Sequence, residues 1–346
     1  MVPPAARPPI FMADMVGGLA AESFNRSVIL FKMLDRNRFL LYAENNYQII
    51  FEAVSLGIFV RRYRNIVRMV VIESTGISDV GRKRKGNEDA LFLDDSMNLF
   101  VVADGMGGHQ AGEVASKIVV ETIRDYMKRF NDNKIEVEEL EDSDNSLSKE
   151  ANRLISSIHL ANKGVYSLSQ TDKSYEGMGS TVSAVLFTEE NLIAANVGDS
   201  PIYLIHNGII ELLSVPHTVL AEQAAIDPEG ARRLGPHFRH MLTQAVGIGL
   251  TLRPDVCETP CFKGDILVLS SDGLSDKVTP EEILETVRNE QSQKACQALI
   301  NLANERGGDD NVTVIVLKVK DKKNKKGGLK GLISRIRNIL YNFSFK

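Results

Sequence analysis

The chain has 346 residues, 43% of them hydrophobic, and a formal charge of -4 at pH 7. That is an ordinary soluble globular composition, long enough for one large domain or two small ones, and its near-neutral balance gives no reason to expect nucleic acid as a ligand. Three cysteines, Cys257, Cys261 and Cys296, make no disulfide framework and too few soft ligands for zinc. Neither a membrane-length apolar run nor a signal-peptide pattern is present, so the expected compartment is a reducing cytoplasm; the chain is also expected to be a monomer.

Residues 1–68 open on Met-Val-Pro-Pro-Ala-Ala-Arg-Pro-Pro, which suits neither helix nor central strand. Further on, "YQIIFEAVSLGIFVRRYRNIVRM" mixes apolar residues with arginines and reads as one or two amphipathic helices. This region carries no catalytic pattern and stands as an N-terminal extension. Residues 69–320 form the body. Its runs "NLFVVAD", "STVSAVLFT", "NLIAANVGD", "PIYLIHNGIIELL", "DILVLSSDG" and "NVTVIVLKV" are β-branched, short, and bounded by Gly, Asn and Asp, as strands are. "HNG" marks a tight hairpin. Helical stretches fall near 113–130, 148–169, 280–289 and 291–305. Two long helical stretches between strands, and strands joined by hairpins, favour antiparallel sheets covered by helices over a doubly wound parallel sheet. "NDNKIEVEELEDSDNSLSKE" is acidic and polar, a solvated loop or helix approach.

Residues 321–346 begin with a basic, Gly-containing linker and end in a stretch with Leu329, Leu332, Ile333, Ile336, Ile339, Leu340 and Phe343 at helical spacing. With Lys330, Arg335 and Arg337 on the same stretch, it reads as a basic amphipathic helix. Three uses remain open: packing on the body or on residues 1–68, peripheral contact with a membrane surface, or binding a partner protein.

Within the body, one oddity recurs. Asp104-Gly105 follows "LFVVA", Asp199 follows "IAANVG", Asp272-Gly273 follows "ILVLSS", Asp309-Asp310-Asn311 precedes "VTVIVLKV", and Glu88-Asp89 follows "GRKRKGN". One Asp-Gly is an ordinary turn. Repetition at strand ends is different, because strand ends gather loops on a rigid scaffold. Carboxylates converging in one place repel and need a cation to coexist as ions. An all-oxygen set suits Mg²⁺ or Mn²⁺, and glycines leave room for a carbonyl and waters at the metal. The cations of "GRKRKGNED" supply a fork for phosphate oxygens. Metals held by carboxylates beside an arginine describe hydrolytic phosphoryl transfer.

These segments, in this order, resemble the bacterial PPM/PP2C family of metal-dependent protein serine/threonine phosphatases. The residues that carry the resemblance are "SDVGRKRKGNEDA" (78–90), "DGMGGHQAGEVAS" (104–116), "GMGSTVSAVLF" (177–187), "NVGDS" (196–200), "LTQAVG" (242–247), "LSSDGLSD" (269–276) and "DDNVTVIVL" (309–317). The resemblance implies an α+β fold, a four-layer αββα sandwich of two antiparallel sheets flanked by helices, with a dinuclear Mn²⁺ or Mg²⁺ centre at one end. It implies that Asp104 bridges the metals, that the Gly105 carbonyl joins one, and that Asp272 and Asp310 hold the other. Glu88 and Asp89 would orient metal-bound waters, and Asp199 with Asp272 or Asp276 would hold the third metal of bacterial relatives. Arg84 takes the place of the phosphate-binding arginine, with Arg82 as its competitor.

Two departures from the family pattern fall beside the flap at roughly 215–245: Pro201 replaces the usual Arg after "GDS", and Pro216-His217-Thr218 replaces Asp-His-Ser. His109 reads as a loop-stabilising residue rather than a proton donor. The implied activity is hydrolysis of phosphoserine and phosphothreonine in proteins through a bridging hydroxide, with no phosphoenzyme, opposing a Ser/Thr kinase. The alternatives are a catalytically weak phosphoprotein-binding module of the same fold and a two-metal nuclease. The first predicts lost ligands and none is missing; the second lacks a basic groove outside the tail.

Overall fold

The structure, a computed structural model, describes residues 30–35, 38–43, 47–52, 71–107, 110–131, 144–188 and 191–320. The chain divides into two units, Met1–Arg68 and Met69–Lys346. His109 and the basic tail at 321–346 lie outside the described residues. In the first unit, strands β1 (Leu30–Asp35), β2 (Arg38–Ala43) and β3 (Tyr47–Glu52) form an antiparallel meander. The helical reading is therefore corrected for 47–52: Leu41 of β2 pairs Phe31 on one side and Ile49 on the other. Tyr47, Ile49, Ile50 and Phe51 are β-branched or aromatic, and cross-strand pairing outweighs a helix-like spacing in so short a run.

In the second unit, period-two alternation builds the layers. Strands β4 (Val71–Asp79), β5 (Asp89–Asp94) and β6 (Leu99–Met106) precede two long helices, α1 (Ala111–Asn131) and α2 (Lys149–Thr171). Then come β7 (Gly179–Ser180), β8 (Val182–Phe187), β9 (Asn191–Val197), β10 (Ile202–His206) and β11 (Ile209–Leu212). The β10–β11 hairpin turns on Asn207 and Gly208, both at positive φ, the geometry that twisted strands prefer. A flap follows, with α3 (Val219–Ile226), α4 (Pro228–Ala231) and a 3-10 turn at Pro236–Arg239. The chain closes with β12 (Asp255–Pro260), β13 (Ile266–Ser270), α5 (Asp272–Ser275), α6 (Pro280–Asn289), α7 (Ser292–Glu305) and β14 (Val312–Lys320).

One sheet has the order β11-β10-β13-β14-β4, the other β12-β9-β8-β6-β5, with β7 paired to β6. All their pairings are antiparallel. Along β6, Leu99, Val101 and Ala103 join the core shared with α1 and α2, while Phe100 and Val102 join the core between the sheets. Along β14, Ile315 and Leu317 face the other sheet, while Val314 and Val316 meet Leu299 and Ile283 of the outer helices. Three cores between four layers give the αββα sandwich. Phe100 is fully buried and lies edge-on to Phe187, ring centroids 6.0 Å apart. Truncating such a side chain to alanine costs about 3–5 kcal/mol. Among the described residues no helix is long and apolar enough to cross a membrane.

The antiparallel order decides where loops gather. Asp89 opens β5 directly opposite Asp104 near the end of β6. Thr181 precedes β8, Asp199 follows β9, Asp272 follows β13, and Asp310 precedes β14, all at one end of the sandwich.

Candidate metal centre

Asp104 sits where β6 leaves the sheet. Its N–H donates to Thr181 Oγ1 (3.0 Å), and its carbonyl accepts from the Thr181 N–H (2.8 Å) and Ser180 Oγ (3.0 Å). Thr181 Oγ1 shares a 2.7 Å hydrogen bond with Ser200 Oγ, so "GST" and "GDS" are stitched together behind Asp104 and Asp199. Past Asp104 the chain touches α1 at backbone distance: a Cβ on Gly105 would lie 2.0 Å from the Gly112 carbonyl oxygen. A Cβ on Gly112 would stand 2.8 Å from the Glu88 carboxyl carbon. Those glycines are what let β6, α1 and Glu88 meet.

Asn311 organises the opposite wall. Its side-chain oxygen accepts from the Glu88 N–H (2.8 Å), and its amide donates to the carbonyls of Val80 and Gly86 (2.9 Å each). The 80–88 loop is also held by Gly308, whose carbonyl accepts from the N–H groups of Arg82 (2.8 Å) and Lys83 (3.2 Å). Gly81 is at φ 79°, and a Cβ there would lie 2.1 Å from the Asp310 carbonyl oxygen. Asn311 carries no role in the sequence reading; the sequence signal for it is an Asn set between a two-carboxylate turn and the β-branched run "VTVIVLKV".

Arg84, Glu88, Asp104, the Gly105 backbone, Asp199, Asp272 and Asp310 line one cleft. Arg84 Nη2 donates to Asp310 Oδ2 at 2.7 Å. Arg82 is not among the lining residues and spends its N–H on Gly308. Asp89 lies behind the cleft wall, buried, with Oδ2 accepting from Ser271 Oγ (2.8 Å) and Thr313 Oγ1 (2.6 Å). Its Oδ1 is buried without a hydrogen-bond partner. Asp276 is exposed and stands outside the lining, 3.4 Å from the ring of His240. His240, at the end of the flap, lines the cleft and escaped the sequence reading.

Electrostatically the site is overloaded with negative charge. Asp104 keeps a sliver of surface toward the cleft, yet protein surrounds its carboxylate. Burial, then Asp89, Asp272, Asp310 and Asp199, hold it well above the carboxylate range. Burial pushes Asp89 up to about 7; Asp272 and Asp310 add to this, while the hydroxyls of Thr313 and Ser271 pull the other way. Burial and Asp272 bring Asp199 to about 7 as well. Glu88 is raised by burial and by Asp310 and Glu113, against Arg84. The donors are carboxylates and a backbone carbonyl, the set that hard divalent cations take, and a cation is what lets them ionise together. The orphaned Asp89 Oδ1 is an acceptor that a water on such a cation would satisfy.

Residues 81–312 match the family model for protein phosphatase 2C. The chain belongs to the protein phosphatase 2C family. It is similar to the serine/threonine phosphatase stp of Listeria monocytogenes, 32% identical over 69% of this chain and 93% of that one. It is also similar to the serine/threonine protein phosphatase PstP of Mycobacterium tuberculosis, 32% identical over 73% of this chain but only 46% of PstP. The crystal structure of the PstP catalytic domain in complex with two manganese ions superimposes with a TM-score of 0.61 at 31% identity, covering 73% of this chain and all of that one. With the family comes the enzyme class, protein-serine/threonine phosphatase, and the fold expected of it, two antiparallel sheets flanked by helices.

Proposed function

We propose that this chain hydrolyses phosphoserine and phosphothreonine in proteins at a dinuclear Mn²⁺ or Mg²⁺ centre, in signalling that opposes a Ser/Thr kinase. The observation that carries the reading is the convergence of Asp104, Asp272 and Asp310 on one cleft that also holds Arg84 and Glu88. Asp104, the Gly105 carbonyl, Asp272 and Asp310 would hold the two cations, with Asp199 at a third position. When bound, the cations would supply an activated water as nucleophile near neutral pH and would offset charge on the phosphoryl oxygens.

The chain's own residues do the rest. Arg84, already paired with a carboxylate oxygen in this cleft, presents its fork to the phosphate oxygens. Asp89, fixed by Ser271 and Thr313, keeps one oxygen free to orient a water. Glu88, held by Asn311 at its N–H, accepts from another. Asn311 and the Gly105–Gly112 junction keep these groups from drifting, which preserves the alignment on which phosphoryl transfer depends.

The test is hydrolysis of phosphoserine and phosphothreonine peptides by chelator-stripped protein. Activity should be absent until Mn²⁺ or Mg²⁺ is added, and oxygen-18 from water should enter the released phosphate in a single turnover without a phosphoenzyme. Turnover that survives stripping, or a trapped phosphoenzyme, would sink this mechanism.

A further inference from the structure

The run Arg82-Lys83-Arg84-Lys85 puts four cations in consecutive positions of a chain whose formal charge is -4. All four residues are exposed. The loop that carries them is held from below: Gly308 accepts from the N–H groups of Arg82 and Lys83, and the Asn311 amide donates to the Gly86 carbonyl. Two of the four cations are paired. Arg84 meets Asp310 inside the cleft, and Lys83 meets Asp309. Lys277, just past α5, meets the same Asp309 carboxylate. Lys277 and Lys83 together hold that carboxyl down to about 2, so it stays ionised, and one carboxylate serves two ammonium groups. Asp79, the acid that precedes the run, has Oδ1 engaged by the Gly81 N–H (2.8 Å) and the Asn304 amide (3.0 Å). Among the described residues Arg82 and Lys85 have no ion pair.

Arg84 marks where a phosphate would sit, so its neighbours stand where the residues flanking that phosphate would pass. Lys85 is adjacent to Arg84, and Arg82 lies two residues away, at most about 7 Å along the chain. An extended peptide advances about 3.3 Å per residue, so a side chain one to three positions from the phosphate would meet these cations. Neither Arg82 nor Lys85 lines the cleft, which leaves them to the substrate chain and not to the phosphate. On the flap, Arg239 is exposed but has Asp276 within electrostatic reach, which offsets its charge. A run of four suits a short acidic segment; a nucleic-acid backbone calls for a broader basic surface than this chain of net negative charge presents here.

We propose that Arg82 and Lys85 are specificity residues that bind acidic side chains flanking the phosphorylated serine or threonine, so that the preferred substrates carry Asp or Glu within about three residues of the phosphate. The inference rests on the phosphatase reading of the cleft and narrows its substrate class. Exposed ion pairs are individually weak and screened by salt, and these act equally on bound substrate and transition state, so the preference belongs to KM and not to kcat. The hydrogen bonds from Gly308 and Asn311 fix the loop beforehand, which limits the ordering that such weak contacts must offset.

The experiment uses the full chain with Mn²⁺ and phosphothreonine peptides that differ only in their flanks, with glutamate, glutamine or lysine on both sides. Wild-type KM should be about fivefold or more lower for the glutamate peptide than for the glutamine peptide at low salt, with kcat unchanged, and the gap should close at about 0.5 M salt. Arg82→Gln combined with Lys85→Gln should lose the preference while hydrolysing the glutamine peptide as wild type does. Arg82→Lys combined with Lys85→Arg keeps both charges and should retain it. Equal wild-type KM for the glutamate and glutamine peptides, or a preference that survives neutralisation of both residues, would overturn this inference and leave the phosphatase reading intact. Stronger competition by a single-stranded oligonucleotide than by an unphosphorylated glutamate peptide of equal charge would assign the run to nucleic acid instead. Failure to hydrolyse any of the peptides would overturn the phosphatase reading itself, and this inference with it.

Discussion

Asp272 begins α5 with its carboxylate in the cleft, so Asp272→Asn removes a charge while keeping the shape. Amide oxygen is a poor ligand for a hard cation, and hydrolysis of a small aryl phosphate should fall about 100-fold or more, beyond what outer partners of a metal cost. Activity within tenfold of wild type at saturating Mn²⁺ would remove Asp272 from the ligands. Arg84 and Arg82 separate by geometry: one pairs with Asp310 in the cleft, the other does not line it. Arg84→Ala should raise KM for a phosphopeptide without acidic flanks about tenfold with Mn²⁺ affinity little changed, the size of one charge-assisted contact. Arg82→Ala should leave KM alone, and the reverse pattern would exchange their roles. The carboxylates were legible as residues because each interrupts a β-branched run with Asp and a neighbouring Gly or Asn. His240 was not, since no local pattern marks it; the path of the flap puts it in the cleft. Asp276 was read as an alternative to Asp272, and only the α5 turn tells them apart, placing Asp272 inward and Asp276 at the rim.

Short β-branched runs bounded by Gly, Asn and Asp made the inner strands readable: β6, β8, β9, β13 and β14 fall on them, and the four helical stretches match α1, α2, α6 and α7. β12 was harder, because "DVCETP" is an edge strand with one neighbour, β9, and its residues are mostly half-exposed. The flap helices α3 and α4 are short and carry little periodicity; Thr218 and Asp227 cap them with side-chain oxygens, a local signal too small to compete with the loop composition around it. The turn pair 80–88 and 307–311 is the element on which the site depends most. Gly81→Ala would drive a Cβ to 2.1 Å from the Asp310 carbonyl oxygen at a positive φ. A loss of about 2 kcal/mol or more in stability follows, with weakened Mn²⁺ binding as Asp310 shifts. Chemical denaturation and calorimetric titration check both, and a variant with wild-type Mn²⁺ affinity would mean that Asp310 does not depend on this junction.

At the scale of the molecule, the cleft's charge is built from both sheets, so stability and metal content are linked. The described site residues all fall between Arg84 and Asp310. We therefore propose that residues 69–320 suffice for catalysis, and that truncation after Lys320 leaves turnover of a soluble phosphopeptide unchanged. The same cleft sets a pH dependence whose sign is unusual for acids. Asp89 and Asp199 titrate at about 7 in the folded, metal-free protein, against about 4 in the unfolded chain. Between those values the folded state holds protons that the unfolded state has released, so stability falls as pH rises through the window and levels off above it. Glu282 and Asp309, lowered to about 2 by their partners Arg306 and Lys277, titrate below that window and do not reverse the trend. A bound cation favours the ionised carboxylates and cancels the loss. Chelator-stripped protein should melt several degrees lower at pH 8 than at pH 5, and saturating Mn²⁺ should raise the melting temperature more at pH 8. A stripped protein that grows more stable from pH 5 to pH 8, or a Mn²⁺ shift equal at both, would show that these carboxylates are not the ones a cation relieves.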